Sequence, residues 1–274
     1  MRVPESITIT VNLTTQLKPR LAEAWDFETE HKFAFTSMIW EANGEFYHYE
    51  HDQPEFEITP DAIRELSQKA VLIPHDYYLA KLPAAPAAAT RALATCLSDP
   101  NTYFEKITPY TYRPGEMAHP PAHSLAHEME VCERLKDHHH SNICRYFGYV
   151  PTTDGSRLLG LCFERHETTL ARAVASKRDF NATAVIEGIG CGLEHLHSWG
   201  YVHNDMNPTN IVLGKDNTPI IIDFDSCREI GASLKGEKAG TLGWDHNGQL
   251  SEPENDFYGL RKMREWLIEA GYVV

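Results

Sequence analysis

Basic side chains are in short supply. Lysine and arginine number 25 against 39 aspartates and glutamates in 274 residues, a formal charge of −14. A field of that sign repels phosphate backbones and anionic membrane surfaces. Nucleic-acid binding is therefore disfavoured, while a local basic pocket for a nucleotide is still compatible with it. No apolar run approaches the ~20 residues needed to cross a bilayer, and the opening MRVPESITITVNL has no apolar core of signal-peptide length. The six cysteines, Cys96, Cys132, Cys144, Cys162, Cys191 and Cys227, form no CxxC and no zinc-module spacing. They read as reduced packing thiols of a cytoplasmic protein. Glycine is missing altogether from residues 70–101. Hydrophobic residues at 42% and charged residues at 23% are ordinary for a globular chain, which excludes disorder throughout. A chain this long buries enough surface to fold without a disulfide or metal staple.

The first hundred residues read β-rich. SITITVNL, residues 6–13, alternates polar and β-branched residues as a half-buried strand does. Residues 32–40 and 45–50 flank Asn43-Gly44, a pair suited to a tight hairpin. Thr59-Pro60-Asp61 predicts a helix running to about Lys69. A strand is expected over 71–81, and the alanine-rich stretch 84–98 is a helix or a connecting arm. Beyond residue 100, TYFEKI (102–107) predicts a strand, and the four prolines within 108–123 predict a loop. Ser124 starts a helix to about Lys136 with Leu125, Met129, Cys132 and Leu135 on one stripe. A strand pair over 143–150 and 157–164 follows, then a helix over 181–198. Short strands are expected near 201–202, 211–213 and 219–223, and a last helix over 255–269. Strands first and then mostly helix makes an α+β, two-lobed pattern.

The chemistry concentrates in YVHNDMNPTNIVLGKDNTPIIIDFD, residues 201–225. Asp205 and Asn210 share a short loop, and the apolar run PIIID delivers Asp223 at a strand tip. Asp205 can accept a proton from a hydroxyl. Asn210 and Asp223 are hard oxygen ligands suited to Mg²⁺. These are the parts of phosphoryl transfer, which depends on positioning and charge neutralisation.

These residues resemble the eukaryotic protein-kinase superfamily: HxDxxxxN as His203, Asp205 and Asn210, and DFG as Asp223-Phe224-Asp225. GTLGW (240–244) resembles the end of an activation segment, and Asp256-Phe257-Tyr258 the start of the helix that anchors the catalytic loop. GLCFERHETTL (160–170) resembles the last small-lobe strand and hinge, so Glu164 and His166 would lie beside adenine. Glu128 resembles the family's helix glutamate, and Lys106 is the candidate for its strand lysine. The resemblance covers about residues 100–270, and its short lobes and HND-type loop are similar to kinase-like proteins of fungi.

The resemblance implies a bilobal kinase-like fold with a β-rich N-terminal lobe and a reduced, mainly helical C-terminal lobe. Residues 1–100 would be an N-terminal extension or part of the small lobe, 101–166 the small lobe and 167–274 a truncated large lobe. It implies an ATP- and Mg²⁺-dependent phosphotransferase. Asp205 and Asn210 would be catalytic, Lys106, Glu128, Glu164 and His166 would bind nucleotide, and Asn210, Asp223 and Asp225 would hold metal. The acceptor would be a protein or small-molecule hydroxyl. The rival reading is a pseudokinase that binds a nucleotide or partner without turnover, or a kinase fold recruited to other chemistry.

Four departures from the family pattern stand out. No glycine-rich loop precedes Lys106, and the one dense glycine cluster, GIGCGL (188–193), sits in a helical pattern. Asn204 replaces the arginine before the catalytic aspartate, which removes the usual link to a phosphorylated activation loop. Asn207 stands where Ser/Thr kinases carry a lysine, and Asp225 replaces the glycine of DFG. His138–His140 reads as a solvated trio rather than a metal site.

Overall fold

The computed structural model describes residues 20–26, 32–42, 44–52, 65–66, 68–82, 89–115, 120–235, 240–246 and 248–274; for 20–26 and 32–35 the backbone alone is described. The chain divides into two compact units, one of residues 1–79 with 108–121, the other of residues 80–107 with 122–274.

The first unit carries an antiparallel sheet in sequential order: β1 (Arg20–Asp26), β2 (Lys32–Ala42), β3 (Glu45–His51) and β4 (Val71–Leu72). The expected hairpin is present, with Thr36 opposite His51 and Ala42 opposite Glu45. Gly44 turns at φ +80°, a conformation that a side chain disfavours. Alternation puts Met38, Trp40 and Ala42 on one face, where they pack with Leu66, Tyr47 and Tyr49. On the other face Phe46 meets Tyr78 and Tyr110 edge-on, and Tyr112 meets His48 and Tyr77. Those contacts explain why the proline-rich segment belongs to this unit. The strand expected over 71–81 is cut to two residues. Pro74 cannot donate to a ladder and instead precedes the single-turn helix α1 (His75–Tyr78). The strand expected at 6–13 lies outside the described residues, as does most of the helix expected after Thr59, of which residues 65–66 are helical. Of the stretch 84–98, residues 94–97 form a 3₁₀ turn and 84–88 lie outside the described residues.

The second unit begins with an antiparallel sheet of order β5-β7-β6, where β5 is Thr102–Glu105, β6 Tyr146–Pro151 and β7 Leu158–Glu164. Helix α2 (Pro121–Leu135) starts three residues earlier than Ser124 suggested, because proline is well tolerated in a first turn whose N–H groups have no helical partner. Its inner stripe is Leu125, Glu128, Met129, Cys132 and Leu135. Then come β8 (Thr168–Thr169), α3 (Leu170–Ala175), α4 (Ala182–Ser198), β9 (Tyr201–Val202), β10 (Ile211–Leu213), β11 (Pro219–Ile221), β12 (Arg228–Glu229) and α5 (Pro253–Glu269). β10 pairs with both β8 and β11, and β9 pairs with β12. The architecture is α+β.

The glycine cluster is a packing device. A Cβ on Gly188 would lie 2.7 Å from Pro219, and one on Gly192 would lie 2.9 Å from Ile221, so α4 sits tight against β11. The histidine trio is not simply solvated: His138 stacks on Trp199, and His140 stacks on His195 at 4.8 Å. Cys132, Cys144, Cys162 and Cys227 are buried free thiols, and burial pushes Cys144 up to about 12, which leaves it inert. No helix among the described residues is long and apolar enough to cross a membrane.

Candidate active site

The β10–β11 hairpin, together with the loop that leads into it, carries the chemistry-bearing residues. Ile211 pairs with Ile221, and the N–H of Ile222 donates to the carbonyl of Asn210 at 3.0 Å. This pairing brings Asn210 and Asp223, thirteen residues apart, to one end of a short ladder. Asp223 itself has φ +67°, a backbone region that Asp tolerates better than most residues.

The loop between β9 and β10 is tied down from below. Asp256, fully buried in the first turn of α5, accepts the N–H of His203 at 2.9 Å on Oδ2 and the N–H of Asn204 at 2.8 Å on Oδ1. His197 from α4 bonds the same carboxylate at 2.8 Å. Asn204, at φ +64°, donates its amide to the Val202 carbonyl and to Ser251 Oγ at 3.0 Å each and to the Ser226 carbonyl at 3.3 Å, and it accepts from Asn255. Neutral amides thus fill the place where an arginine was expected. α5 comes so close that a Cβ on Gly259 would lie 2.5 Å from the carbonyl oxygen of Met206.

Asp205 is held by four donors. Its Oδ1 accepts the N–H of Thr241 at 2.8 Å, the Thr241 hydroxyl at 2.7 Å and the Asn207 amide at 3.2 Å; its Oδ2 accepts the Asn210 amide at 3.1 Å. Asn210 turns its NH₂ to Asp205, so its carbonyl oxygen points elsewhere and takes a long 3.5 Å contact from Thr209.

Beside this loop lies a cavity of about 580 Å³. Apolar wall comes from Phe163, Ala171, Val212 and Ile222. Glu164, the last residue of β7, and His166 just beyond it line the cavity, as do Asn210, immediately before β10, and Asp223, two residues past β11. The Nε2 of His166 is buried with no hydrogen-bond partner among the described residues, and burial lowers the pKa of the ring below the usual imidazole range.

Glu128 also lines the cavity. It is 1% exposed, and its Oε1 accepts the N–H of Phe224 at 2.9 Å, so it is not the solvated surface residue its acidic neighbours could suggest. Its pKa is raised well above the usual carboxylate range, first by burial and then by the charges of Glu105 and Asp223. The structure places Lys106 differently from the sequence expectation. Strand alternation turns Tyr103 and Glu105 toward the cavity, while Lys106 lies just past the end of β5, exposed and outside the lining. The cavity wall therefore has a carboxylate where an ammonium was expected. The lining bases are Arg172 and His166, against Glu105, Glu128, Glu164, Glu167 and Asp223. Asp225 is not in the lining; its Oδ1 accepts the Ser226 hydroxyl at 3.0 Å.

Three residues escaped the sequence reading. Thr241 was visible only as part of GTLGW, since nothing local says it reaches Asp205. Asn207 read as a lost charge, not as a gained amide. Glu105 could have been found by applying the two-residue strand period to TYFEKI.

The donor set suits a metal held jointly with a ligand. No group of three or more His, Cys, Asp or Glu among the described residues is arranged to hold an ion alone. Asn210 and Asp223 offer hard oxygens on one cavity, which fits Mg²⁺ bound through one or two side chains plus phosphate oxygens and water.

The protein kinase domain profile matches residues 111–254, just over half of the chain. Among curated proteins, the serine/threonine-protein kinase/endoribonuclease IRE1 of Hypocrea jecorina is 33% identical over 125 residues, covering 38% of this chain and 10% of that protein. Serine/threonine-protein kinase 16 of Rattus norvegicus is 30% identical over 132 residues, 42% of this chain and 43% of that protein. Its Mus musculus counterpart is 39% identical over 51 residues, 19% of this chain and 17% of that protein. The chain thus spans less than half the length of each of these relatives.

Proposed function

The chain belongs to the protein kinase domain family, and from that premise we propose that its second unit is an ATP- and Mg²⁺-dependent phosphotransferase acting on a hydroxyl of a protein or small molecule. The observation that carries the reading is the cavity lined by Asn210, Asp223 and His166, whose Nε2 has no partner among the described residues, beside the fixed carboxylate of Asp205. Adenine would lie between the apolar walls and satisfy His166, with Glu164 at the same edge. Asn210 and Asp223 would hold Mg²⁺, which neutralises phosphate charge and orients the terminal phosphoryl group. Asp205 would orient the acceptor hydroxyl and take its proton. Asp225 would serve the metal only through a change of position, and Lys106 would need one to reach a phosphate. The bilobal organisation with a reduced large lobe, and a cytoplasmic location without membrane or nucleic-acid partners, belong to the same proposal.

The second reading, a pseudokinase that binds without turnover, is favoured by one observation: Glu105 stands in the cavity wall where a phosphate-binding lysine was expected. An ATP-consumption assay with Mg²⁺, run beside thermal-shift titration with ATP, separates the two. Turnover with a thermal shift that Asp223→Ala abolishes supports the enzyme. A shift without turnover supports the pseudokinase. Neither effect at millimolar ATP would sink both.

A further inference from the structure

Asn207 is 2% exposed, and its side chain uses its full hydrogen-bonding capacity on the loop and on Thr241. Its Nδ2 lies 3.2 Å from both the carbonyl and Oδ1 of Asp205 and 3.0 Å from Thr241 Oγ1. Its Oδ1 accepts the N–H of Thr209 at 2.9 Å and the Thr209 hydroxyl at 2.5 Å. A primary amide has two N–H donors and an oxygen with two lone pairs, so nothing is left over for a ligand.

The consequence falls on Asp205. Its Oδ1 is surrounded by three donors, two from Thr241 and one from Asn207, and cannot take another proton-bearing group without losing one of them. Among the described residues its Oδ2 has one donor, Asn210, and so keeps acceptor capacity. The carboxylate is thereby held with three donors on Oδ1 and one on Oδ2, so Oδ2 is the oxygen with room for a further donor.

We propose that Asn207 is a positioning residue that, with Thr241, holds Asp205 so that its Oδ2 is the atom that receives the proton of the acceptor hydroxyl. The proposal rests on the phosphotransferase reading. In the step, the acceptor O–H proton passes to Oδ2 as the acceptor oxygen bonds to the γ-phosphorus of ATP. The bond from that phosphorus to the β–γ bridging oxygen breaks, ADP leaves with the electron pair, and Oδ2 later returns its proton to solvent. Asn207 touches neither substrate nor metal. Its effect is on orientation, where displacements near 1 Å cost about a hundredfold in rate.

Steady-state kinetics with ATP–Mg²⁺ test this on the full chain, using whichever acceptor supports wild-type turnover, water included. Asn207→Ala should lower kcat by about a hundredfold while leaving KM for ATP and the ATP-induced thermal shift near wild type. Thr241→Val, which keeps the N–H but loses the hydroxyl, should lower kcat by about tenfold, and Thr241→Ser should restore most of it. Thr241 is exposed, so its variants report on orientation even if Asn207→Ala folds poorly. The double variant should lose less than the product of the single losses, because both residues hold the same oxygen. An unchanged kcat in Asn207→Ala and Thr241→Val overturns the proposal. So does a parallel rise in KM and fall in thermal stability with no rescue by serine, which would mark a purely structural role. A wild type that turns over no ATP with any acceptor sinks the phosphotransferase reading itself, a separate failure visible before any variant is made.

Discussion

The Oδ2 atom of Asp256 accepts the backbone N–H of His203 across 53 residues of sequence at 2.9 Å. That carboxylate also takes Asn204 N–H and His197, so a fully buried acid on α5 fixes the backbone of the loop that carries Asp205. Asp256→Ala would leave two backbone amides and a ring nitrogen without their acceptor. Each unsatisfied buried donor costs about 1–3 kcal/mol, so the loss should be roughly 3 kcal/mol or more. Urea unfolding measures it. Asp256→Asn retains one acceptor oxygen and should lose less; equal losses from both variants would contradict the account.

Glu128 gives stability a pH dependence of definite sign. Its pKa in the fold is raised by burial and by Glu105 and Asp223. The folded state therefore binds a proton that the unfolded chain releases near the ordinary carboxylate value of about 4.3. Stability from this group is complete below that value and falls as pH rises toward and through the raised one. Glu128→Gln keeps an oxygen for the Phe224 N–H and offers an amide to the neighbouring carboxylates. Its melting temperature should exceed wild type by a margin that grows from pH 5 to pH 8, at roughly 2–4 °C per kcal/mol. A margin that stays constant, or a variant less stable at pH 8, would show that Glu128 is ionised and paired.

Glu105 inverts the charge of the cavity wall, and reversing it is a gain-of-function test. Glu105→Lys would set an ammonium beside the buried Glu128 and supply the cation that the lining lacks at that position. ATP should bind about tenfold more tightly, equivalent to about 1.4 kcal/mol. Isothermal titration with ATP–Mg²⁺ reads it. Unchanged or weaker affinity would mean that phosphate does not approach this wall.

Much of the core was legible locally. The hairpin around Gly44, the apolar stripe of α2 and the strands flanking HND and DFD follow from period, turn chemistry and capping, which act over a few residues. The errors share a physical origin. The strand expected over 71–81 lost to Pro74, which breaks a ladder that composition alone favoured. The start of α2 moved to Pro121 because a first helical turn accepts the proline that marks a loop elsewhere. Residue type points to Lys106, whereas the side of a strand is set by parity, which puts Glu105 in the cavity wall.

By itself the sequence determined which groups can do chemistry and roughly where they fall along the chain: Asp205, Asn210 and Asp223, with an apolar strand before each motif. Tertiary structure decided what surrounds them. The reach of Thr241 to Asp205, the burial of Glu128 against Phe224 and the hold of Asp256 on the loop all join segments 30 or more residues apart. No local period encodes such pairings. They arise because a buried donor or acceptor must find a partner, and only the folded chain determines which one is within reach.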